Sequence, residues 1–190
     1  MTTDFNTEII SSALATLRQH GTLLYPTDTI WGIGCDARSD QAVEKIYQLK
    51  QRDDSKALIC LVDSYQMLTH HVVNVSPQLL PYLDDERPTT VIYPQVKGVS
   101  KRLIAADGSI GIRIVKDPFC AALIKALNAP LVSTSANLSG KASPQNFSEI
   151  STAILEGVEV VVPLRQNEIQ TQASRIIQLQ KENSIAILRA

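Results

Sequence analysis

The sequence predicts an α/β protein built as a twisted, open, mixed sheet with helices covering it. Three observations carry that expectation. Strand-like runs alternate with helix-like runs over most of the chain, the pattern of layered α/β domains. Ala57 to Val62 is an unbroken apolar run of strand length, as expected of a strand covered on both faces. Thr89 to Tyr93 and two late runs, Ala173 to Ile177 and Ile185 to Leu188, have no helical crossover beside them, so a purely parallel sheet is not expected.

The elements follow in order. Asn6 caps a helix from Thr7 on which Ile9, Ile10, Ala13, Leu14 and Leu17 share one face, and Gly21 stops it. Thr22 to Tyr25 reads as a strand ended by Pro26. Ser39 or Asp40 caps a second helix with Ala42, Val43, Ile46 and Leu49 inward. Helical regions start near Ser64 and at Ser76-Pro77. Thr89 to Tyr93 is a β-branched strand, and Ile110, Ile112 and Ile114 alternate with Gly111 and Arg113 as a strand with one apolar face. Asp117-Pro118 places a capping side chain before proline, opening a helix to about Leu127. Leu131 to Ser133 is a strand, Phe147 to Leu155 a helix and Val158 to Val162 a strand.

A chain of 190 residues fits one domain, expected over 1–190, and can bury about 70% of its unfolded surface. The net charge of -1 gives no global attraction to nucleic acid or membrane, although it does not report local patches. Cys35, Cys60 and Cys120 form no C-x-x-C pair and read as small buried residues of a reducing compartment. Neighbouring His70 and His71 point in different directions on any regular element, a poor metal pair. The N-terminus has no basic stretch leading into an apolar run, and no apolar run approaches membrane-spanning length; a cytoplasmic protein is expected.

Polar residues collect at strand ends, where open α/β sheets bind ligands. In Pro130 to Gly140 a short apolar strand gives way to hydroxyls, an amide and glycine. Two readings stand: a polar loop, or a cradle presenting N–H and hydroxyl groups to an anion. Pro26 to Gly32 is an ordinary turn or a second such rim. Lys50, Arg52 and Lys56 either complement a helix dipole or grip a polyphosphate. Arg113 either faces solvent or offers a fork to a carboxylate. There is no G-x-x-x-x-G-K-[ST], no G-x-G-x-x-G, no G-x-S-x-G, no H-E-x-x-H and no zinc spacing, which argues against those familiar nucleotide, hydrolase and metal sites.

Taken jointly, the clusters resemble one family. Pro26-Thr27-Asp28-Thr29 with Gly32, Lys50-x-Arg52 with Lys56, Gly111-Ile112-Arg113, and Ser133-Thr134-Ser135-Ala136-Asn137-x-Ser139-Gly140 are similar in order and spacing to the YrdC/TsaC-type threonylcarbamoyl-AMP synthases. The resemblance spans about Ile9 to Arg189. It implies a YrdC-like fold in its short, single-domain form, with the ligand cleft on the concave side. It also implies a nucleotidyltransferase that turns ATP, L-threonine and bicarbonate into threonylcarbamoyl-AMP and pyrophosphate, the first step toward threonylcarbamoyladenosine in tRNA. Such chemistry needs positioning and charge stabilisation more than a protein nucleophile.

By the same resemblance, Lys50, Arg52 and Lys56 are the catalytic cations. Thr27, Arg113, Ser133 and Ser174 surround threonine, with Arg113 on its α-carboxylate. Arg52, Lys56, Ser109, Ser135, Ser143 and Arg189 contact the nucleotide, and Asn137 orients it or orders the loop. Mg2+ accompanies ATP, held by phosphates and water rather than by protein ligands, and no tightly bound cofactor is implied. The implied partners are a downstream threonylcarbamoyl transferase complex that receives the product, and tRNA or double-stranded RNA.

Trp31 stands where Tyr is usual, Leu61 where some members carry a His near threonine, and Ser174-Arg175 where Ser-Thr is usual; Arg87-Pro88-Thr89-Thr90 replaces a common Pro-Gly-Pro-x-Thr. Two other functions fit the same fold. One is an RNA-binding, ribosome-maturation module using Lys97, Lys101, Arg102, Lys116 and Lys125. The other is an inactive paralogue, which would tend to lose the Lys-x-Arg or Ser-Ala-Asn elements that this chain keeps.

Overall fold

Helix signals and strand signals alternate along the computed structural model, which describes residues 7–51, 58–180 and 184–190. The elements are α1 (Thr7–Arg18), β1 (Leu23–Tyr25), β2 (Gly32–Gly34), α2 (Asp40–Lys50), β3 (Ile59–Val62), α3 (Tyr65–His71), α4 (Leu80–Leu83), β4 (Thr89–Tyr93), β5 (Ile110–Ile114), α5 (Pro118–Leu127), β6 (Leu131–Ser135), α6 (Thr152–Gly157), β7 (Val160–Val161), β8 (Arg175–Leu179) and β9 (Ile185–Arg189). Among the described residues no helix is long and apolar enough to cross a membrane.

Local chemistry explains most of the boundaries. Ser39 is the cap of α2, its hydroxyl accepting from the Ala42 N–H; Ser64 and Asp117 cap α3 and α5 in the same way. The expected cap Asn6 lies outside the described residues. At the end of α1 the left-handed residue is His20, at φ 58°, and Gly21 follows it, so the expected glycine stop is displaced by one position. The expected helix over 147–155 is split into a tight turn at Phe147–Glu149 and α6. Ile150 between them is extended (φ -70°, ψ 125°) and buried, so packing of one side chain interrupts the helix.

All nine described strands join one sheet in the order β7-β1-β2-β6-β3-β5-β4-β8-β9. The pairs β1/β7, β3/β5 and β4/β8 are parallel, and the other five are antiparallel. The mixed sheet expected from the sequence is therefore present. Strand β2 was not expected, and β6 runs two residues beyond the expected Ser133. Both differences come from pairing: Gly32–Gly34 lies between β1, which it meets over its whole length, and β6, whose Ser135 and Thr134 sit opposite Gly32 and Ile33.

Alternation along the strands sorts their side chains onto two faces. Leu24, Ile33, Cys60, Val62, Val91, Ile110, Ile112 and Val132 pack with α2, α3 and α6 in one core. Leu23, Tyr25, Leu61, Val115 and Leu131 pack with α1 and α5 in another. The second face changes character along its strands. In β6, Leu131 is followed on the same face by Ser133 and Ser135; in β5, Gly111 and Arg113 precede the apolar Val115. Helices α1 and α5 cover the apolar half, and the polar half holds the cavity.

Glycine lets the central strands approach at Gly34. A Cβ there would sit 2.1 Å from the Val132 carbonyl oxygen and 2.7 Å from the Tyr25 ring, well inside contact distance. Gly111, on the face of Arg113, keeps that face low: a Cβ there would meet Ile59 and Thr90 at 3.0 and 3.1 Å.

Candidate active site

A cavity of about 250 Å³ opens on the polar half of that face. Its walls come from seven places in the sequence. Thr29 to Gly32 form one rim. Ile59 and Arg113 come from β3 and β5. Ser133, Thr134 and Ser135 come from β6, with Ser143 beyond it. Ser174 and Ile176 border β8, and Arg189 ends β9. Strand register brings the central residues together: Ile59 sits opposite Gly111 on one side and Ser133 on the other.

Arg113 is only 2% exposed, so the reading in which it faces solvent is excluded. Its Nη2 lies 3.0 Å from Asp28 Oδ1, and its Nη1 donates to Thr29 Oγ1 at 3.1 Å. The direction of the rest of this chain follows from proton counting. Thr27 donates its single hydroxyl proton to the Ile30 carbonyl at 2.7 Å. Thr29 must then donate to Thr27 across their 2.9 Å contact, which leaves Thr29 free to accept from Arg113. Arg113 Nε has no hydrogen-bond partner among the described residues although it is buried. An unpartnered buried guanidinium N–H on a cavity wall is a site for an anionic oxygen.

The second cation is Arg189. Its Nε and Nη2 donate to the Ser174 carbonyl and hydroxyl at 2.9 and 3.1 Å, and Ser174 in turn contacts Thr90 Oγ1 at 2.9 Å. Burial, together with repulsion from Arg113, lowers the Arg189 pKa. The two guanidiniums thus give the cavity a positive field. Below Ser133, burial and the neighbouring Cys120 push the Tyr25 phenol well up, while a hydrogen bond with Ser133 acts the other way. Tyr25 also donates to the Val132 carbonyl at 3.0 Å, so it is a neutral prop for β6.

Of the residues expected at the site, Arg113, Ser133, Ser135, Ser143, Ser174 and Arg189 line this cavity. Arg52 and Lys56 lie outside the described residues. Four others are placed elsewhere. Lys50 is in the last turn of α2, 1% exposed. Its ammonium donates to the carbonyls of Ser135 and, at 2.6 Å, Asn137, and its own carbonyl accepts from Ser139 N–H at 2.9 Å. It holds the exit of β6 and is not among the residues that line the cavity.

Thr27 is also behind the wall, closing the turn that orients Thr29. Asn137 donates to the Leu138 and Lys141 carbonyls at 2.9 and 2.6 Å, so it orders the loop. Ser109 belongs to a turn, its N–H bonded to Asp107 and its carbonyl to Ala105 N–H. It is not among the cavity-lining residues because that turn precedes β5.

Reasoning from the sequence missed Asp28 and Thr29 as individual site residues, although both sit in a quoted motif. It also missed Gln170, whose side-chain amide donates to the Thr27 carbonyl at 2.9 Å while its N–H donates to Gln145 at 2.6 Å. Gln170 thereby ties the connection before β8 to two loops of the site. Leu61, a departure from the family pattern, is buried in the core with α1 and α5, one turn of the pleat away from the cavity residue Ile59. Trp31 lines the cavity and packs on Phe147 at 5.1 Å. The candidate RNA-binding cations are partly engaged: Arg102 pairs with Glu44 at 2.6 Å, and the Lys116 ammonium donates to the carbonyls of Asp84 and Asp85.

Comparison with known proteins agrees with this layout. A family model for Sua5/YciO/YrdC proteins, described as "Telomere recombination", matches residues 15–190. A protein of Pseudoalteromonas translucida named threonylcarbamoyl-AMP synthase is 33% identical, over 88% of this chain and 91% of its own length. One of the same name from Klebsiella pneumoniae is 30% identical, over 85% and 87%. The crystal structure of P. abyssi Sua5 complexed with L-threonine superposes with a TM-score of 0.79 at 22% identity, over 95% of this chain; the chain spans 53% of that protein's length. Matched by the family model over nearly its whole length, this chain belongs to the Sua5/YciO/YrdC family.

Proposed function

We propose that this chain is an enzyme, a threonylcarbamoyl-AMP synthase: a nucleotidyltransferase that joins L-threonine, bicarbonate and ATP. The observation that carries the reading is the buried Arg113, with an unpartnered Nε, on the wall of a cavity ringed by Ser133 and Ser174. Its support from relatives is the shared name of the proteins 30–33% identical to it. A cavity of about 250 Å³ suits an amino acid better than a whole nucleotide, so the nucleotide extends outside it.

In this reading Arg113 takes the α-carboxylate of threonine as a charge-assisted fork, and Ser133 and Ser174 take its other polar groups. The threonine amine and bicarbonate condense to a carbamate and water. A carbamate oxygen attacks the α-phosphorus of ATP, the bond to the β-phosphate oxygen breaks, and pyrophosphate leaves with the electron pair. The chain's work is to hold both reactants and to meet the spreading negative charge. Ser135, Ser143 and Arg189 contact the nucleotide, and Arg52 and Lys56 grip its phosphates.

Lys50 and Asn137 keep the β6 exit in place for that contact. Mg2+ enters with ATP and neutralises phosphate charge, held by phosphates and water in keeping with its reluctance to shed its hydration shell. The product passes to a downstream transferase acting on tRNA. Incubation with ATP and bicarbonate, with and without L-threonine, tests the reading: pyrophosphate release that depends on L-threonine is expected, and release indifferent to threonine would refute it.

A further inference from the structure

We infer that Asp28 is a positioning residue that sets the specificity of the site for an amino acid with a free carboxylate, acting through Arg113; this rests on the function proposed above. Asp28 is half-buried beside the cavity wall and is not among the residues that line the cavity. Its side chain is 10% exposed and lies 3.0 Å from Arg113 Nη2. Its second oxygen accepts the Lys116 N–H at 3.1 Å, just beyond β5. The carboxylate is thus held on the same stretch of chain whose arginine it steadies. Oδ1 meets the guanidinium as a charge and not as an aligned hydrogen bond, since no hydrogen-bond partner is found for it among the described residues.

The geometry divides the guanidinium into two parts. Asp28 and Thr29 occupy the Nη2 and Nη1 ends. Nε remains the donor with no protein partner. A buried arginine free to rotate would turn all its donors toward protein oxygens, because an unmet buried N–H is costly. Here Nη1 is fixed by its hydrogen bond to Thr29 and Nη2 is drawn toward the Asp28 charge, so the ligand sees one orientation of the fork. Asp28 also offsets the charge of Arg113. Removing it leaves the site more positive, yet the inference predicts weaker carboxylate binding, because orientation is lost. A purely electrostatic role would give the opposite sign.

The test is calorimetric binding of L-threonine and of L-threoninol, which lacks the carboxylate, to the wild type, Asp28→Asn, Arg113→Ala and the double variant. Asp28→Asn is expected to weaken L-threonine binding by at least ~10-fold, within the roughly 100-fold that a misplacement of about 1 Å can cost, and to leave threoninol binding within about twofold. In the Arg113→Ala background Asp28→Asn is expected to add nothing, because the residue it acts through is gone.

Asp28→Glu, which keeps the charge and shifts its place, is measured alongside in case the asparagine variant does not fold; it is expected to show the same selective loss. Unchanged or tighter L-threonine binding, equal losses for both ligands, or full additivity with Arg113→Ala would overturn the inference. Wild-type protein that binds no L-threonine would overturn the proposed function and this inference with it. Wild-type binding with an indifferent Asp28 would overturn the inference alone.

Discussion

Replacing Lys50 by methionine separates the support of the site from its lining. The side chain is 1% exposed and donates to two carbonyls at the end of β6. Methionine keeps most of the apolar stem and removes the ammonium. Two hydrogen bonds to a charged donor are together worth about 3–6 kcal/mol. Relief of the buried charge's desolvation offsets part of this, leaving a net loss of roughly 2–4 kcal/mol.

For a domain of this size each kcal/mol moves the melting temperature by about 2–4 °C, so a fall of roughly 4–16 °C is expected. The two released carbonyls belong to Ser135 and Asn137, and Ser135 lines the cavity. A displacement of about 1 Å there can cost on the order of 100-fold in rate. Thermal melting and pyrophosphate release on the same preparation read both effects. A melting temperature within about 1 °C of wild type, with turnover unchanged, would show that the ammonium supports nothing.

Other perturbations test other parts of the structure. Gly34→Ala places a Cβ 2.1 Å from the Val132 carbonyl; neither strand can yield at the sheet centre, so a loss of more than about 3 kcal/mol is expected in denaturant unfolding. Burial acts to raise the Glu159 pKa, but hydrogen bonds from Lys45 and Thr22 outweigh it and hold the group at about 2, against an ordinary 4.5. A depressed acid stabilises the fold above its unfolded pKa and loses that contribution as pH falls. The melting-temperature gap between wild type and Glu159→Gln is therefore expected to be constant near neutrality and to shrink from 4.5 down to about 2. Burial pushes the Cys60 thiol up to about 12 and raises Cys35 and Cys120 as well; all three are expected to resist a thiol reagent until the protein unfolds.

The parts of the fold that sequence reasoning reached were those with local causes. Ser39, Ser64 and Asp117 cap helices through bonds made within three residues, and the alternation of β5 is visible in five letters. The parts it missed depend on partners distant in sequence. Gly32-Ile33-Gly34 has little strand propensity of its own and becomes a strand by pairing with Leu23 to Tyr25 on one side and with Thr134 and Ser135, a hundred positions on, at the other. Ile150 breaks the helix around it because it is drawn into the core.

The site divides along the same line. Residues that alternate on strands, such as Arg113 and Ser133, line the cavity. Lys50, Thr27 and Asn137 are in the right neighbourhood but turn toward carbonyls and hydroxyls of the loops behind the wall. A lysine at a helix end reads the same in sequence whether it meets solvent, phosphate or a buried carbonyl. Asp28 was legible only as a letter in a motif, because its role depends on a partner 85 positions away that the register of β5 delivers.

The proposed function puts the amino acid of an adenylating synthase in the cavity under Arg113. Its most direct measurement is pyrophosphate release by the wild-type chain in ATP and bicarbonate as L-threonine is titrated, with L-threoninol in a parallel series. Saturable release with L-threonine and none with threoninol is expected. Release that is equal with both, or that ignores both, would contradict it.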